Sequence, residues 1–150
     1  NPLSSGLDIY TETELANIIQ EHTDGRWIVY DDYRWSPYVL INGGNSLTVT
    51  HLYPLFDLWE VLDPEKEYED VYNRYANIGV STYEEGEDLL VLNHPDSVTI
   101  NIDPCDPKLR ELNIKYLLFT KERTLKCGIL LKELHYQGPS FYIYELKYGE

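Results

Sequence analysis

Two apolar stretches near the C-terminus predict neighbouring β-strands. Leu112–Thr120 contains a near-continuous apolar run, Tyr116–Phe119, which is typical of a central strand covered on both faces. Ser140–Lys147 alternates in part and carries the aromatic and β-branched residues that fit a pleated surface. The turn Gln137–Pro139 separates this stretch from another apolar run, Ile129–Leu131. The C-terminal third is therefore predicted to be a sheet.

The N-terminal pattern predicts a helix followed by a strand. Thr11–Glu14 matches a capping box, in which the Thr hydroxyl bonds the amide three residues on and the Glu reaches back. The apolar residues that follow fall on one helical face: Leu15, Ile18 and Ile19. Asp24-Gly25 is predicted to end this helix, and Arg26–Tyr30 to continue as a strand. A helix, a glycine turn and a strand form half of an α/β unit.

Proline caps and apolar spacing predict four more helices. Ser36-Pro37 followed by Gly43-Gly44 predicts a short helix over 37–42, although Val39–Ile41 also fits a strand entering a hairpin. Apolar spacing predicts a helix over 54–62, and Asp63-Pro64 is predicted to start another that ends at Gly79. A short helix after Asp106-Pro107 leads into the central strand.

The predicted fold class is α/β: a single domain with a mixed β-sheet of about five or more strands, flanked by α-helices. Segments 80–83 and 89–92 are expected to form a hairpin, and the alternating segment 97–102 another strand. The candidate strands are 26–31, 80–83, 89–92, 97–102, 114–120, 128–135 and 141–147. A chain of 150 residues is long enough to bury a substantial core as one domain.

The charge balance narrows the possible partners. Acidic residues outnumber basic residues 26 to 12, which gives a formal net charge of −14. This charge argues against nucleic acid or an anionic membrane surface as the partner. The sequence has neither a run of about 18 apolar residues nor a signal peptide. It also has no methionine, from which we expect a processed piece of a longer chain whose membrane segments lie outside it.

The two cysteines, Cys105 and Cys127, leave two alternatives open. Neither belongs to a Cys-x-x-Cys pair, and the four histidines are scattered, so we predict no metal site and no cofactor. The cysteines either form a disulfide that closes a loop around Leu112–Thr120 or remain as two buried thiols. A disulfide would indicate an oxidising compartment.

Paired carboxylates give the first candidate site. Asp31 and Asp32 lie just beyond the end of a predicted strand, where open α/β sheets place their ligand crevice. Two acids there could bind a divalent ion or act as general acid and base. The alternative is that they simply begin a solvated turn.

Other candidates are polar loop residues, an arginine and aromatic rings. The loop Asn42–Asn45 lets the backbone approach a ligand closely, or it is a plain turn that needs positive φ. Arg74 could bind a carboxylate or phosphate, or it pairs with Asp70 or Glu67 on its own helix. Fourteen tyrosines and three tryptophans could line a sugar-binding face, although many fall at core spacings. The ligand-binding hypothesis names six residues: Asp31, Asp32, Trp35, Asn42, Asn45 and Arg74.

Several segments together resemble a known kind of domain. They are Asn1–Asp8, Gly25–Val29, Tyr53–Trp59, Leu62–Pro64, Tyr72–Ala76, Asp103–Leu109, Leu112–Leu118 and Phe141–Leu146. In this order they resemble the soluble extracytoplasmic C-terminal domain of bacterial multi-span membrane proteins similar to GT-C glycosyltransferases. The last two also resemble the tail of YfhO-type proteins, which are implicated in glycosylating cell-wall polymers.

The resemblance implies a non-catalytic accessory domain, because the catalytic carboxylate of GT-C enzymes belongs to a loop near the membrane domain. It implies a location on the extracytoplasmic face of the membrane, with the transmembrane region of the parent chain and a cell-wall or lipid-linked glycan as partners. A Cys105–Cys127 bridge fits that location. Two alternatives stay open: a secreted metal-dependent hydrolase or transferase using Asp31, Asp32 and Asp103, and an acidic protein-interaction domain that docks a cationic partner.

Overall fold

The computed structural model describes residues 6–47, 56–72 and 77–148. The helices are α1 Gly6–Glu21, α2 Ser36–Ile41, α3 Phe56–Leu62, α4 Glu69–Tyr72 and α5 Lys108–Glu111, and a 3₁₀ turn spans Tyr33–Trp35. The strands are β1 Arg26–Val29, β2 Asn45–Ser46, β3 Asn77–Ser81, β4 Leu90–His94, β5 Ser97–Asn101, β6 Ile114–Phe119, β7 Gly128–His135 and β8 Ser140–Leu146. Among the described residues, no helix is both long and apolar enough to cross a bilayer.

A mixed five-stranded sheet dominates the fold, in the order β2-β1-β6-β8-β7. β1 runs parallel to both β2 and β6, whereas β8 is antiparallel to both β6 and β7. The continuous apolar run places β6 in the centre, where Leu117 and Leu118 are 0% exposed. The predicted α/β class and the central strand are therefore confirmed.

A second sheet has three strands in the order β3-β5-β4. The predicted hairpin between 80–83 and 89–92 is wrong, because β3 and β4 both pair with β5 and not with each other. β5 takes the middle position because Val98 and Ile100 are almost fully buried. The loop after β3 carries four acidic residues and one glycine over 84–88 and stays exposed.

The two faces of the five-stranded sheet contact different layers. α1 and α2 pack on one face through Leu15, Ile19 and Val39. The three-stranded sheet, α3 and α5 cover the other face. Side chains of β1 alternate between these cores, since Trp27 and Val29 face the helices whereas Ile28 and Tyr30 face the second sheet. This alternation is the normal period of a strand.

Tyr30 joins the two sheets. Its backbone pairs with Val80 at the end of β1, and its hydroxyl donates a hydrogen bond to the carbonyl of Ile102 at 3.0 Å. Its ring stacks on Phe119 with a centroid distance of 4.9 Å. Burial raises the pKa of Tyr30 well above its ordinary value, so the hydroxyl stays protonated as a donor.

The cap-based predictions succeed for two helices and fail for two. α5 begins directly after Asp106-Pro107, as predicted. α2 begins at Ser36 with proline in its first turn, so the helix alternative is confirmed over the strand. α1 begins at Gly6, which makes the predicted start at Thr11 wrong, because Thr and Glu are also tolerated inside a helix.

The helix predicted from Pro64 is also wrong at its start. The carboxylate of Asp63 accepts hydrogen bonds from the amides of Glu67 and Tyr68 at 2.9 and 2.8 Å. Lys66 has a φ of +57°, which interrupts helical geometry. The helix therefore forms only at Glu69–Tyr72, and its predicted continuation through 73–76 lies outside the described residues.

Cys105 and Cys127 are joined by a disulfide, with an S–S distance of 2.03 Å and a Cα–Cα distance of 5.6 Å. Of the two alternatives raised by the sequence, the structure has the bridge. The loop it closes contains α5 and β6, so the bridge ties the segment after the second sheet to the start of β7.

Candidate functional site

The adjacent parallel strands β1 and β6 continue in opposite directions where they end. The chain after β1 turns to the helical face, where Trp35 and Val39 join the α1 side of the core. The chain after β6 turns to the other face, where Leu125 and Cys127 pack. Such a divergence is a topological switch point, and it opens a crevice beyond the carboxyl ends of the strands.

The backbone at the end of β1 adopts an unusual conformation at Asp31. Asp31 has a φ of +64°, a left-handed conformation that is uncommon for a residue with a side chain. The amide of Asp31 donates to the carbonyl of Val80 at 2.9 Å, and the amide of Asp32 donates to the carbonyl of Tyr30 at 2.7 Å. This tight turn directs the two aspartates to different partners.

Asp32 forms a bidentate ion pair with Arg34. The Nε and one terminal nitrogen of Arg34 donate to the two carboxylate oxygens of Asp32, both at 2.8 Å. These hydrogen bonds lower the pKa of Asp32 from its ordinary value against the opposing effect of burial. Planar, two-point pairing of this kind fixes orientation as well as charge.

Asp31 pairs with Arg123, which comes from the loop after β6. A terminal nitrogen of Arg123 lies 3.0 Å from a carboxylate oxygen of Asp31. The guanidinium also lies over the ring of Phe119, 5.7 Å from its centroid. Tyr144 holds the loop, because its hydroxyl donates to the carbonyl of Arg123 at 2.7 Å and accepts from its amide at 3.1 Å.

An open cleft of about 650 Å³ lies at this switch point. Its lining comes from the turn after β1, the end of β6 and the turn before β8: Asp32, Arg34, Trp35, Thr120, Gly138, Pro139 and Ser140. The indole of Trp35 stands nearly perpendicular to the ring of Phe141, with a centroid distance of 4.6 Å. The cleft therefore combines one aromatic ring, an ion pair and two hydroxyls.

The chain matches DUF7654, a domain of unknown function, over residues 10–150. It belongs to this family. No curated protein and no solved structure matches it. All the residues that line the cleft fall within the DUF7654 match.

The DUF7654 structure brings three of the six predicted residues together. Asp31, Asp32 and Trp35 all lie at the end of β1, and two of them line the cleft. Asn45 pairs with Arg26 at the opposite end of β1. Five residues at 3.3 Å each separate that end from Asp31 by about 16 Å.

Asn42 caps α2 and lies away from the cleft. Its Nδ2 donates to the carbonyl of Tyr38 at 2.9 Å, and its Oδ1 accepts from Gln20 at 3.3 Å. Gly43 next to it has a φ of +88°, so this loop is the turn that needs positive φ. Asn42 and Asn45 therefore lie apart from Asp31, Asp32 and Trp35, and Arg74 lies outside the described residues.

Sequence reasoning missed three polar residues that line the cleft, and also Arg123, the partner of Asp31. Arg34 and Arg123 were not singled out, although an arginine two residues after an Asp-Asp pair is a local signal for ion pairing. Thr120 and Ser140 join the cleft through strand order, which no local pattern reveals.

The carboxylates that the structure describes in this DUF7654 domain do not form a metal-binding cluster. In the described ranges, no group of three or more His, Cys, Asp or Glu side chains could hold an ion. Asp103, the third acid of the hydrolase hypothesis, uses a carboxylate oxygen to accept from the amide of Cys105 at 2.7 Å. Asp31 and Asp32 each face a guanidinium.

Proposed function

We propose that this DUF7654 domain is a non-catalytic extracytoplasmic accessory domain of a membrane-embedded glycosyltransferase-like protein, and that its cleft contacts the donor or acceptor glycan. One observation carries the proposal. A half-buried indole, Trp35, lies in the same cleft as the Asp32–Arg34 pair and the hydroxyl residues Thr120 and Ser140.

The chemistry of the cleft suits a sugar. An aromatic ring can pack against the apolar CH surface of a pyranose, and carboxylate, guanidinium and hydroxyl groups can exchange hydrogen bonds with sugar hydroxyls. The volume of about 650 Å³ falls in the range of small-ligand sites. The Asp32–Arg34 pair is internally neutral, so the cleft favours neither a strong cation nor a strong anion.

The ion pairs support a binding role over a hydrolytic one. Glycoside hydrolysis generally needs two carboxyl groups, one of which is kept protonated by a raised pKa. The pKa of Asp32 is instead lowered by Arg34, and Asp31 is held by Arg123. Asp32 is thus placed to position a ligand rather than to transfer a proton.

The disulfide supports the proposed location. Disulfides such as Cys105–Cys127 persist in oxidising environments and are rare in reducing ones. The resemblance to the soluble portion of multi-span glycosyltransferase-like proteins supplies the rest: the transmembrane region of the parent chain is the proposed neighbour, and a cell-wall or lipid-linked glycan is the proposed ligand.

Isothermal titration with short cell-wall glycans tests the proposal. We expect Ser140→Ala and Arg34→Gln each to weaken glycan binding by about fivefold, the effect of one lost hydrogen bond. Matched controls lie away from the cleft: Ser97→Ala at the start of β5 and Arg110→Gln on α5. Both controls should bind as the wild type does.

Two results would overturn the proposal. Glycan binding that survives both cleft substitutions unchanged would place the sugar elsewhere. A thermal shift produced by divalent ions alone, and abolished by Asp32→Asn, would favour the metal-dependent hydrolase instead.

A further inference from the structure

Strand β7 forms an outer edge of the five-stranded sheet. It spans Gly128–His135 and pairs with β8 on one side. Within the described ranges, no strand pairs with its other side. An edge of this length presents a row of backbone amides and carbonyls to which a further strand can bond.

The first half of β7 exposes apolar side chains. Ile129 is 52% exposed and Leu130 is 41% exposed, and consecutive strand residues point to opposite faces. A bulge follows, between Leu130 and Lys132. Natural edges are usually protected by charges or bulges, and here the protection begins only after the apolar pair.

A groove of about 310 Å³ lies between β7 and α1, and two glutamates, one histidine and one lysine are among its lining residues. Glu14, Asn17 and Glu21 line it from the helix, and Leu131 and Lys132 line it from the strand. The hydroxyl of Tyr136, just after β7, donates to the carboxylate of Glu14 at 2.5 Å. This bond fixes the helix beside the edge.

The spacing of the two glutamates fits an added strand. Seven helical residues from Glu14 to Glu21 rise about 10 Å, which lies between the roughly 7 and 13 Å that separate same-face side chains two and four residues apart on a strand. Long basic side chains on one face of a strand lying along β7 can therefore reach both carboxylates.

We propose that the β7 edge binds an extended cationic segment of a partner protein by strand addition. Its backbone bonds to the outer edge of β7. Its apolar residues cover Leu130, which pairs with Tyr144 and so lies on the face away from α1. Its basic residues lie on the opposite face, where they enter the groove beside Glu14 and Glu21. This mode takes affinity from main-chain hydrogen bonds and specificity from alternating side chains. The proposal does not rest on the glycan cleft.

Charge favours a cationic partner over a second copy of this chain. The net charge is −14, so edge-to-edge pairing of two copies would bring two strongly acidic molecules together. A basic segment is attracted by the negative charge of this domain. Its binding should weaken at higher salt concentration, because salt screens that attraction.

Fluorescence anisotropy with designed probes tests the proposal. The probe is a labelled nine-residue peptide that alternates lysine with valine, compared with a glutamate–valine peptide and with the lysine probe carrying a central proline. We expect binding of the lysine probe alone. Hydrogen exchange should then show new protection within Gly128–His135, because strand addition bonds the amides on the outer edge.

Substitutions separate the groove from general charge attraction. Glu21→Gln should weaken binding of the lysine probe at least threefold, and Ile129→Lys should weaken it further. The matched control Glu85→Gln lies in the exposed loop after β3. It should weaken binding of the lysine probe by less than half of the effect of Glu21→Gln. Equal losses in Glu21→Gln and Glu85→Gln, or protection outside β7, would overturn the proposal.

The oligomeric state provides an independent test of whether the β7 edge binds a partner protein or a second copy of this chain. Light scattering on the wild type should show a monomer at concentrations where the probe binds. A dimer disrupted by Ile129→Lys would assign the edge to a second copy and overturn the partner proposal.

Discussion

The two ends of β1 both carry polar residues, but among the described residues these polar groups are packed in different ways. At its start, Asp24 accepts hydrogen bonds from Lys115 and Tyr116. A side chain at Gly25 would overlap the Cβ of Lys115. At its end, Asp31 and Asp32 pair with arginines that belong to separate loops. A cleft lies between the turn after β1, the end of β6 and the turn before β8.

The difference between the two ends of β1 follows from the direction in which the chain continues beyond each end. At the start of β1, neighbouring residues bond across β1 and β6 and leave no space between the strands. At the end, the continuations of β1 and β6 leave to opposite faces of the sheet. Polar residues alone therefore do not make a site; the divergence of the backbone creates the space.

The largest effect should come from removing the disulfide. The double substitution Cys105→Ser and Cys127→Ser should lower the free energy of unfolding by about 3 kcal/mol, since the unfolded chain regains the freedom of the closed loop. The bridged loop contains Arg123, so the cleft end of β1 should lose more hydrogen-exchange protection than the start.

Denaturant unfolding and amide exchange measure these two effects. The two single substitutions serve as controls and should each destabilise the domain as the double substitution does. Equal loss of protection at both ends of β1 would show that the bridge stabilises the fold without a special role at the cleft.

A smaller effect should come from Asp24→Asn at the start of β1. Hydrogen bonds from Lys115 and then Tyr116 lower the pKa of Asp24 from 3.8 to about 2. A lowered carboxyl pKa gives stability that is present above about pH 4 and is lost as the pH falls towards 2. Because the Asp24 side chain is 60% exposed, we expect about 1 kcal/mol or less.

Urea unfolding at pH 6 and at pH 2.5 tests this assignment. The wild type should lose more stability between these pH values than Asp24→Asn does. Asp57→Asn, on the exposed side of α3, is a matched control and should keep the acid dependence of the wild type. An unchanged acid dependence in Asp24→Asn would contradict the assignment.

A still smaller change in stability should follow Arg34→Gln beyond the end of β1. The Arg34 side chain is 77% exposed, so the free energy of unfolding should fall by less than about 0.5 kcal/mol. The pKa of Asp32 should nevertheless rise, because Arg34 is the main cause of its lowered value. Carboxyl-carbon NMR measures that pKa, and Arg110→Gln should leave it unchanged.

The smallest effect should come from Asn45→Ala. Asn45 is exposed on the short strand β2, so its removal should change stability by less than about 0.5 kcal/mol. It lies beside the start of β1 and should not alter glycan binding. Weaker glycan binding in this variant, measured by titration, would mean that the ligand extends along β1 beyond the cleft.

Local sequence patterns predicted those parts of the fold that depend on interactions between residues close together in the sequence. The continuous apolar run of β6 indicated a central strand, and proline after Ser36 indicated a helix start. The pairing of β3 and β4 with β5, and not with each other, was not predictable in this way. It depends on how the three-stranded sheet packs against the five-stranded sheet. The early start of α1 likewise shows that a capping box can occur inside a helix.

The candidate site was predictable only in part, for the same reason. Asp31 and Asp32 follow a strand, and that rule indicated the end of β1 at which the cleft lies. Arg123 and Ser140 lie about 90 residues or more further along the chain, and only strand order brings them near. Asn42 and Asn45 were predicted as ligand residues together with Asp31 and Asp32. The turn into β2 instead places them towards the start of β1, away from the cleft.

The pairing of β1 with β6 also sets the order in which the chain can fold. Asp24 and Tyr116, which bond beside the start of this pair, are 92 residues apart. Contacts of such long range require a large loss of chain entropy before they form, and they slow folding. The hairpin β7–β8 can form early because its strands are adjacent in sequence. β1 can join the sheet only after β6 is in place. Of the two ends of the chain, the C-terminal one is therefore expected to provide the folding nucleus.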